Sequence, residues 1–146
     1  MHVVAINIAP GSRLPTRTVD TVVAEAGTGL VGDRYHGAKH RHVTIQSQEM
    51  LDQAAADLGR DFDPALTRRN LTVDSGEIPT KPGTRLMVGD VLLEVVRVSA
   101  PCRLLDDWIG PGAARALHRR AGSTFRLLSS GTIRLGDVVE VVDVAA

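Results

Sequence analysis

Aromatic side chains are scarce in this chain: one Trp, one Tyr and two Phe, 3% of 146 residues. That is too few for the stacking platforms that bind single-stranded nucleic acid. Excess charge is absent as well. Seventeen Lys and Arg balance seventeen Asp and Glu, so no overall field draws the protein to nucleic acid or to an anionic membrane. The single cysteine, Cys102, excludes an internal disulfide and fits a reducing, cytoplasmic setting. The opening MHVVAINIAPGSR carries no basic leader and no apolar run suited to export or membrane spanning. Lysine is also rare, the basic residues being nearly all arginine. Arginine suits bidentate recognition of carboxylate or phosphate, although genomic base composition produces the same bias.

What is present reads as one domain over residues 1–146, a usual domain length, long enough to fold without a disulfide or structural metal. VVAINI (Val3 to Ile8) predicts a strand, and so does TVDTVVAEA (Thr18 to Ala26), with Val19, Thr21 and Val23 on one face. Gly27 to Arg41 reads as a long glycine-containing loop, followed by a strand at HVTIQ. Ser47 then fits an N-cap for QEMLDQAAADL, whose Met50, Leu51, Ala54, Ala55 and Leu58 share a face, with Gly59 as the stop. Asp63-Pro64 opens a short helical turn, and Leu71 to Val73 follows as a strand. RLMVGDVLLEVVRV predicts a hairpin about Gly89-Asp90 of type II′, and IRLGDVVEVV repeats the phrase about Gly136-Asp137, suggesting two equivalent barrel corners. AARALHRR (Ala113 to Arg120) reads as a shorter helix ended by Gly122. Many short strands, glycine turns and few helices predict a mostly β fold, a single-domain β-barrel with one longer and one or two short inserted helices.

Gly27-Thr28-Gly29-Leu30-Val31-Gly32 matches G-x-G-x-x-G. The continuation DRYHGAKHRH has no apolar stripe at helical spacing, so the helix that would present N–H groups to a pyrophosphate is missing, and no NAD, flavin or haem site is read. The same loop groups Gly32, Asp33, Arg34, Tyr35 and His36 with Lys39, His40, Arg41 and His42. A closed metal site needs more ligands than this spacing supplies; an anion-binding lip suits the donors better. Arg68-Arg69-Asn70 reads either as a solvated charged turn or as a fork for phosphate or carboxylate. Gly122-Ser123-Thr124 with Arg119 and Arg120 reads as a polar turn after a helix. In VSAPCRLLDDW, Cys102 sits between Pro101 and Arg103. Free cysteines often fill cores, but a proline on one side and a permanent cation on the other is atypical of a strand interior. Arg103 would favour the nucleophilic, metal-binding thiolate.

In order, GLVGDRYHG, HVTIQSQEML, RRNLTV, PGTRLMVGDVLLEV, PCRLL and GTIRLGDVVEV resemble the MOSC domain, the family typified by the C-terminal region of molybdenum cofactor sulfurases and by small stand-alone bacterial proteins. The resemblance spans about Val3 to Val142 and implies a β-barrel. It places the family's cysteine on Cys102, as catalytic thiolate and molybdenum ligand, or as a persulfide-carrying nucleophile. It places the cofactor's phosphate or pterin edge near Gly32, Asp33, Arg69 and Asn70, where a molybdenum–pterin cofactor is expected, and Arg34, His36, Arg68 and Arg103, the basic residues read beside these elements and Cys102, complete the expected binding set. Three functions follow: reduction of small N-oxygenated molecules, sulfur carriage for metal–sulfur cofactor assembly, or non-catalytic binding of an anion or partner by the barrel. The sequence contains no pyridoxal-phosphate-dependent domain and none of the extensions of the larger molybdenum reductases. A separate electron donor or cysteine desulfurase is therefore the expected partner, with a small-molecule substrate or cofactor and neither nucleic acid nor membrane. Replacing Arg69 is expected to weaken ligand retention while leaving the fold intact.

Overall fold

The computed structural model of the chain describes residues 1–11, 14–101 and 103–146. Cys102 lies outside the described residues, as do Ser12 and Arg13. The strands are β1 (Val3–Ile8), β2 (Arg17–Val19), β3 (Thr21–Glu25), β4 (Gly29–Leu30), β5 (Val43–Ser47), β6 (Leu71–Val73), β7 (Arg85–Val88), β8 (Val91–Val98), β9 (Ser123–Leu127), β10 (Gly131–Arg134) and β11 (Val139–Asp143). The helices are α1 (Gln48–Leu58), α2 (Leu104–Trp108) and α3 (Ala113–Ala116), with a 3-10 turn at Pro64–Thr67.

Eight strands form one sheet in the order β11-β7-β8-β9-β5-β6-β1-β2, and β10-β3-β4 form a second. A bridge between His2 and Val138, flanked by bonds from Val3 N–H to Asp137 O (2.9 Å) and Val139 N–H to Met1 O (2.8 Å), returns β1 to the start of β11. The large sheet thereby curls on itself, and the fold is mostly β with few helices, as expected. Ile6, Val43, Ile45, Leu71, Leu93 and Phe125 are buried in its core. A smaller apolar cluster of Leu51, Ala54, Leu105, Ala113 and Leu117 joins the three helices.

Pairing within the large sheet is antiparallel except for β5 and β6, which run parallel with Ile45 beside Leu71. A parallel pair requires a crossover, and α1 with the 3-10 turn supplies it. Gly59 ends α1 in the left-handed region at φ 75°, its N–H returned to Ala56 O. Asp63 caps the 3-10 turn by accepting the Ala65 N–H at 2.9 Å. Because β5 and β6 run the same way, the residues just before each strand, Arg41 and Arg68–Asn70, arrive at one edge of the sheet.

Three local expectations change in the structure. The segment 18–26 is two strands broken at Asp20, and its inward residues are Val22 and Ala24, while Val23 is 49% exposed. The two Gly-Asp phrases are not equivalent: β7 and β8 pair as a hairpin, whereas β10 and β11 leave Gly136-Asp137 for different sheets. The two turns nevertheless touch, since Gly89 N–H donates to Val138 O at 2.9 Å. Finally, residues 104–108 form a helix too short to leave a periodic pattern, and helix 113–120 stops at Ala116. No helix opens directly after Gly32: among the described residues the next element is β5, and the next helix, α1, begins at Gln48. No described helix is long and apolar enough to cross a membrane.

Candidate functional site

The edge where β5 and β6 begin meets the end of β8, because β8 and β5 both pair with β9: Arg97 lies opposite Thr124, and Thr44 opposite Thr124. The loop after β4 and helix α2 enclose this edge. The result is a hollow of about 630 Å³ lined by Arg34, Arg41, Arg68, Arg69 and Arg97, with Tyr35, Ser99, Thr124, Leu105 and Trp108 among the rest of its wall. No carboxylate lines it among the described residues. Its size lies within the usual range for small-molecule sites.

The arginines are held by ring stacking and by backbone carbonyls. The guanidinium carbons of Arg34 and Arg41 stand 4.7 and 4.2 Å from the Tyr35 ring centre, and that of Arg68 stands 5.4 Å from Trp108, distances at which cation–π attraction operates. Arg68 also donates to the carbonyls of Leu14 and Gly11, and its backbone is left-handed at φ 62°. Burial is the main influence lowering the pKa of Arg41, with Arg34 and Arg97 adding like-charge repulsion. Burial likewise lowers that of Arg68, with Arg34 contributing. Both remain cationic, since guanidinium does not deprotonate in proteins. The Nε atoms of Arg41 and Arg68 are buried with no hydrogen-bond partner among the described residues. Clustered cations with buried, unspent donors and no carboxylate in the wall suit a polyanionic ligand.

Arg69 plays a double part. It lines the hollow, is only 9% exposed, and donates from Nε to Ala121 O (3.2 Å) and from Nη2 to Ala100 O (3.2 Å). It thus ties the start of β6 to the turn before β9 and to the segment two residues before Cys102. These bonds give the side chain a structural part beside the ligand-binding one expected of it. Arg69→Ala is expected to lower stability by about 2–3 kcal/mol through lost charge-assisted bonds to carbonyls, read by urea unfolding. An unchanged midpoint would show that these bonds carry no weight.

Asp33 and Asn70 are buried and bonded to each other and to the backbone. Asp33 Oδ1 accepts Ala9 N–H (2.9 Å) and Asn70 Nδ2–H (3.3 Å), and Asp33 Oδ2 accepts Tyr35 N–H (3.3 Å). Asn70 Nδ2 also donates to Asn7 O (3.1 Å), while its Oδ1 accepts from Thr44 N–H (2.9 Å) and Thr44 Oγ1–H (3.1 Å). This network clamps the loop that presents Arg34 and Tyr35. Gly32, next to it, is left-handed at φ 90°. His36 lies elsewhere, exposed and 2.8 Å from Glu25, and Arg103 is exposed and outside the lining.

His42 is buried: its Nδ1 accepts Leu127 N–H at 2.9 Å, so Nε2 carries the proton given to Ala38 O at 2.7 Å. That tautomer leaves no lone pair for a metal. Among the described residues no group of three His, Cys, Asp or Glu could hold a metal ion. Arg97, Thr124 and Trp108 were not picked out as site residues from the sequence. Each sits in a segment whose apolar or turn pattern is ordinary, and only strand order brings them together. Ala100 and Leu104, two residues before and after Cys102 in the chain, both line the hollow.

Comparison with the curated proteins finds no match. Among solved structures the fold is similar to that of the YuaD protein from Bacillus subtilis, with TM-score 0.88 and 19% identity over 99% of this chain and 96% of that one. It is also similar to YiiM from Geobacillus stearothermophilus (TM-score 0.75, 18% identity, 97% of this chain and 75% of that one). YiiM from Escherichia coli follows (0.74, 17%, 100% and 72%). At these identities the likeness concerns the fold. The family model described as the MOSC domain matches residues 32–140, a span holding the arginine loop, the Arg68–Asn70 element and Cys102. The chain is a member of the MOSC domain family.

Proposed function

We propose that the protein binds a molybdenum–pterin cofactor in the arginine hollow and, with Cys102 as thiolate ligand, serves the reduction of small N-oxygenated compounds. The observation that carries this reading is a hollow walled, among the described residues, by five arginines and no carboxylate, with Ala100 and Leu104 lining it on either side of Cys102 in sequence. Arg34, Arg41, Arg68 and Arg97 would receive the phosphate, and the unspent Nε donors of Arg41 and Arg68 are the buried groups most in need of an acceptor. Arg69 would orient the segment that leads to Cys102 through Ala100 O. Leu105 and Trp108 would cover the less polar part of the ligand and exclude water. When bound, the group supplies a sulfur-rich two-electron centre, for which a soft thiolate is a suitable donor. Electrons would come from a separate partner.

Protein purified from a host that makes the cofactor is expected to retain molybdenum near one atom per chain, and Cys102→Ser is expected to lose it. Protein without molybdenum that instead gains a one-sulfur adduct on Cys102 after incubation with a desulfurase and cysteine would establish sulfur carriage. Protein that does neither, with a thiol that iodoacetamide reaches only after denaturation, would establish a non-catalytic barrel.

A further inference from the structure

A second hollow of about 370 Å³ lies at the N-terminus of α1, lined by Ser47, Met50, Glu77, Ile78, Arg119 and Val141 among others. Helix α1 has eleven residues, and the N–H groups of its first turn lack intrahelical partners. Ser47 occupies the N-cap yet makes no side-chain capping bond. It is 1% exposed, lines the hollow, and its Oγ is buried with no hydrogen-bond partner among the described residues. A serine at this position ordinarily accepts from the second or third helical N–H. An uncommitted N-cap hydroxyl beside a helix N-terminus is a combination that suits a bound oxyanion.

The surrounding charges narrow the ligand. Arg120 is occupied by Asp57 (2.5 Å) and Ala116 O (3.1 Å). Arg119 is exposed and makes no ion pair among the described residues. Glu49, in the first turn of α1, is bound to Gly76 N–H (2.7 Å) and so fastens the loop that carries Glu77 to Thr80. Glu77 on that loop adds one negative charge to the wall, which disfavours a doubly charged phosphate more than a singly charged carboxylate. Met50, Ile78 and Val141 supply apolar surface for a short hydrocarbon body.

We infer that this hollow binds a small monocarboxylate, its carboxylate on the Ser47 hydroxyl, the first-turn N–H groups of α1 and Arg119, and its apolar part against Met50, Ile78 and Val141. The site does not depend on Cys102 or on the arginine hollow.

Benzoate and butyrate titrated into the full chain are expected to move the amide resonances of Met50 and Gly122 with dissociation constants of about 1 mM. Inorganic phosphate is expected to bind at least about tenfold more weakly because of Glu77. Arg119→Ala should weaken benzoate about tenfold, and Ser47→Ala about fivefold, each equivalent to one lost polar contact. Cys102→Ser should bind benzoate as the parent does. Ser47→Ala should also melt at the parent temperature, whereas a hydroxyl that caps the helix in solution would cost about 3 °C. Unmoved resonances at about 10 mM benzoate, equal binding by Arg119→Ala, or that melting loss would each overturn the assignment.

Discussion

Gly122→Ala is expected to abolish the native fold or to destabilise it by more than about 4 kcal/mol, the range reserved for a named steric or packing failure. A Cβ built on Gly122 would stand 1.8 Å from Ile45 O and 2.9 Å from Gln46 Cα. Both belong to the backbone of β5, which is hydrogen-bonded to β6 and β9 and has no freedom to retreat. The φ of 79° adds the separate cost of a left-handed non-glycine residue. Gly122 O also accepts Ser99 N–H at 2.9 Å, which holds the end of β8 where it turns toward residues 100–101. Circular dichroism with urea titration reads the outcome. Native-like stability in the alanine variant would mean that β5 and the turn before β9 separate more easily than their pairing implies. Gly136→Ala is a suitable comparison: its φ is 86° but nothing stands within 4 Å of its Cβ, so it should show the conformational cost alone, about 1 kcal/mol.

The arginine hollow leads to a second large effect, on binding instead of folding. Arg41→Gln with Arg97→Gln removes two of the five cations in the wall. Each charge-assisted bond to phosphate is worth about 1.5 kcal/mol or more, so cofactor retention is expected to fall by about 100-fold. Stability of the ligand-free protein should move the other way or not at all, because Arg34 and Arg97 each repel Arg41. This opposition separates a binding role from a structural one. Salt provides the same contrast: raising ionic strength screens the cluster, which would loosen the proposed cofactor while relieving self-repulsion. Molybdenum and phosphate retained after dialysis at low and high salt, set beside melting temperatures, measure both. Equal retention by the parent and double variant would take these two side chains out of the site.

Much of the scaffold could be read from neighbouring residues. Alternation in RLMVGDVLLEVVRV identified the hairpin, and Gly89 at φ 56°, with Asp90 outside the positive-φ residues, agrees with the turn expected there. Ser47, the apolar face of QEMLDQAAADL and Gly59 bounded α1. Asp63-Pro64 marked the 3-10 turn. These signals are local because hydrogen bonds and side-chain contacts within a turn or helix span a few residues. The break at Asp20 escaped notice because β-branched residues continue on both sides of it, and pairing with two different partners, β1 and β10, is what divides the segment.

By itself, then, the amino-acid order determined the strand-rich class, the principal helix, the family resemblance and the arginine-rich character of the loop and of the Arg68–Asn70 element. Only the tertiary structure decided that Arg34, Arg41, Arg68, Arg69 and Arg97 face one hollow, that Asp33 and Asn70 bond to each other, to the backbone and to Thr44, and that Arg69, expected as a ligand-binding residue, also braces the chain. Residues 34 and 97 are brought to the same wall by the order β8-β9-β5-β6 and the parallel crossover through α1. Such placement follows from how sheets close around their apolar core, a property of the whole chain that no short stretch encodes.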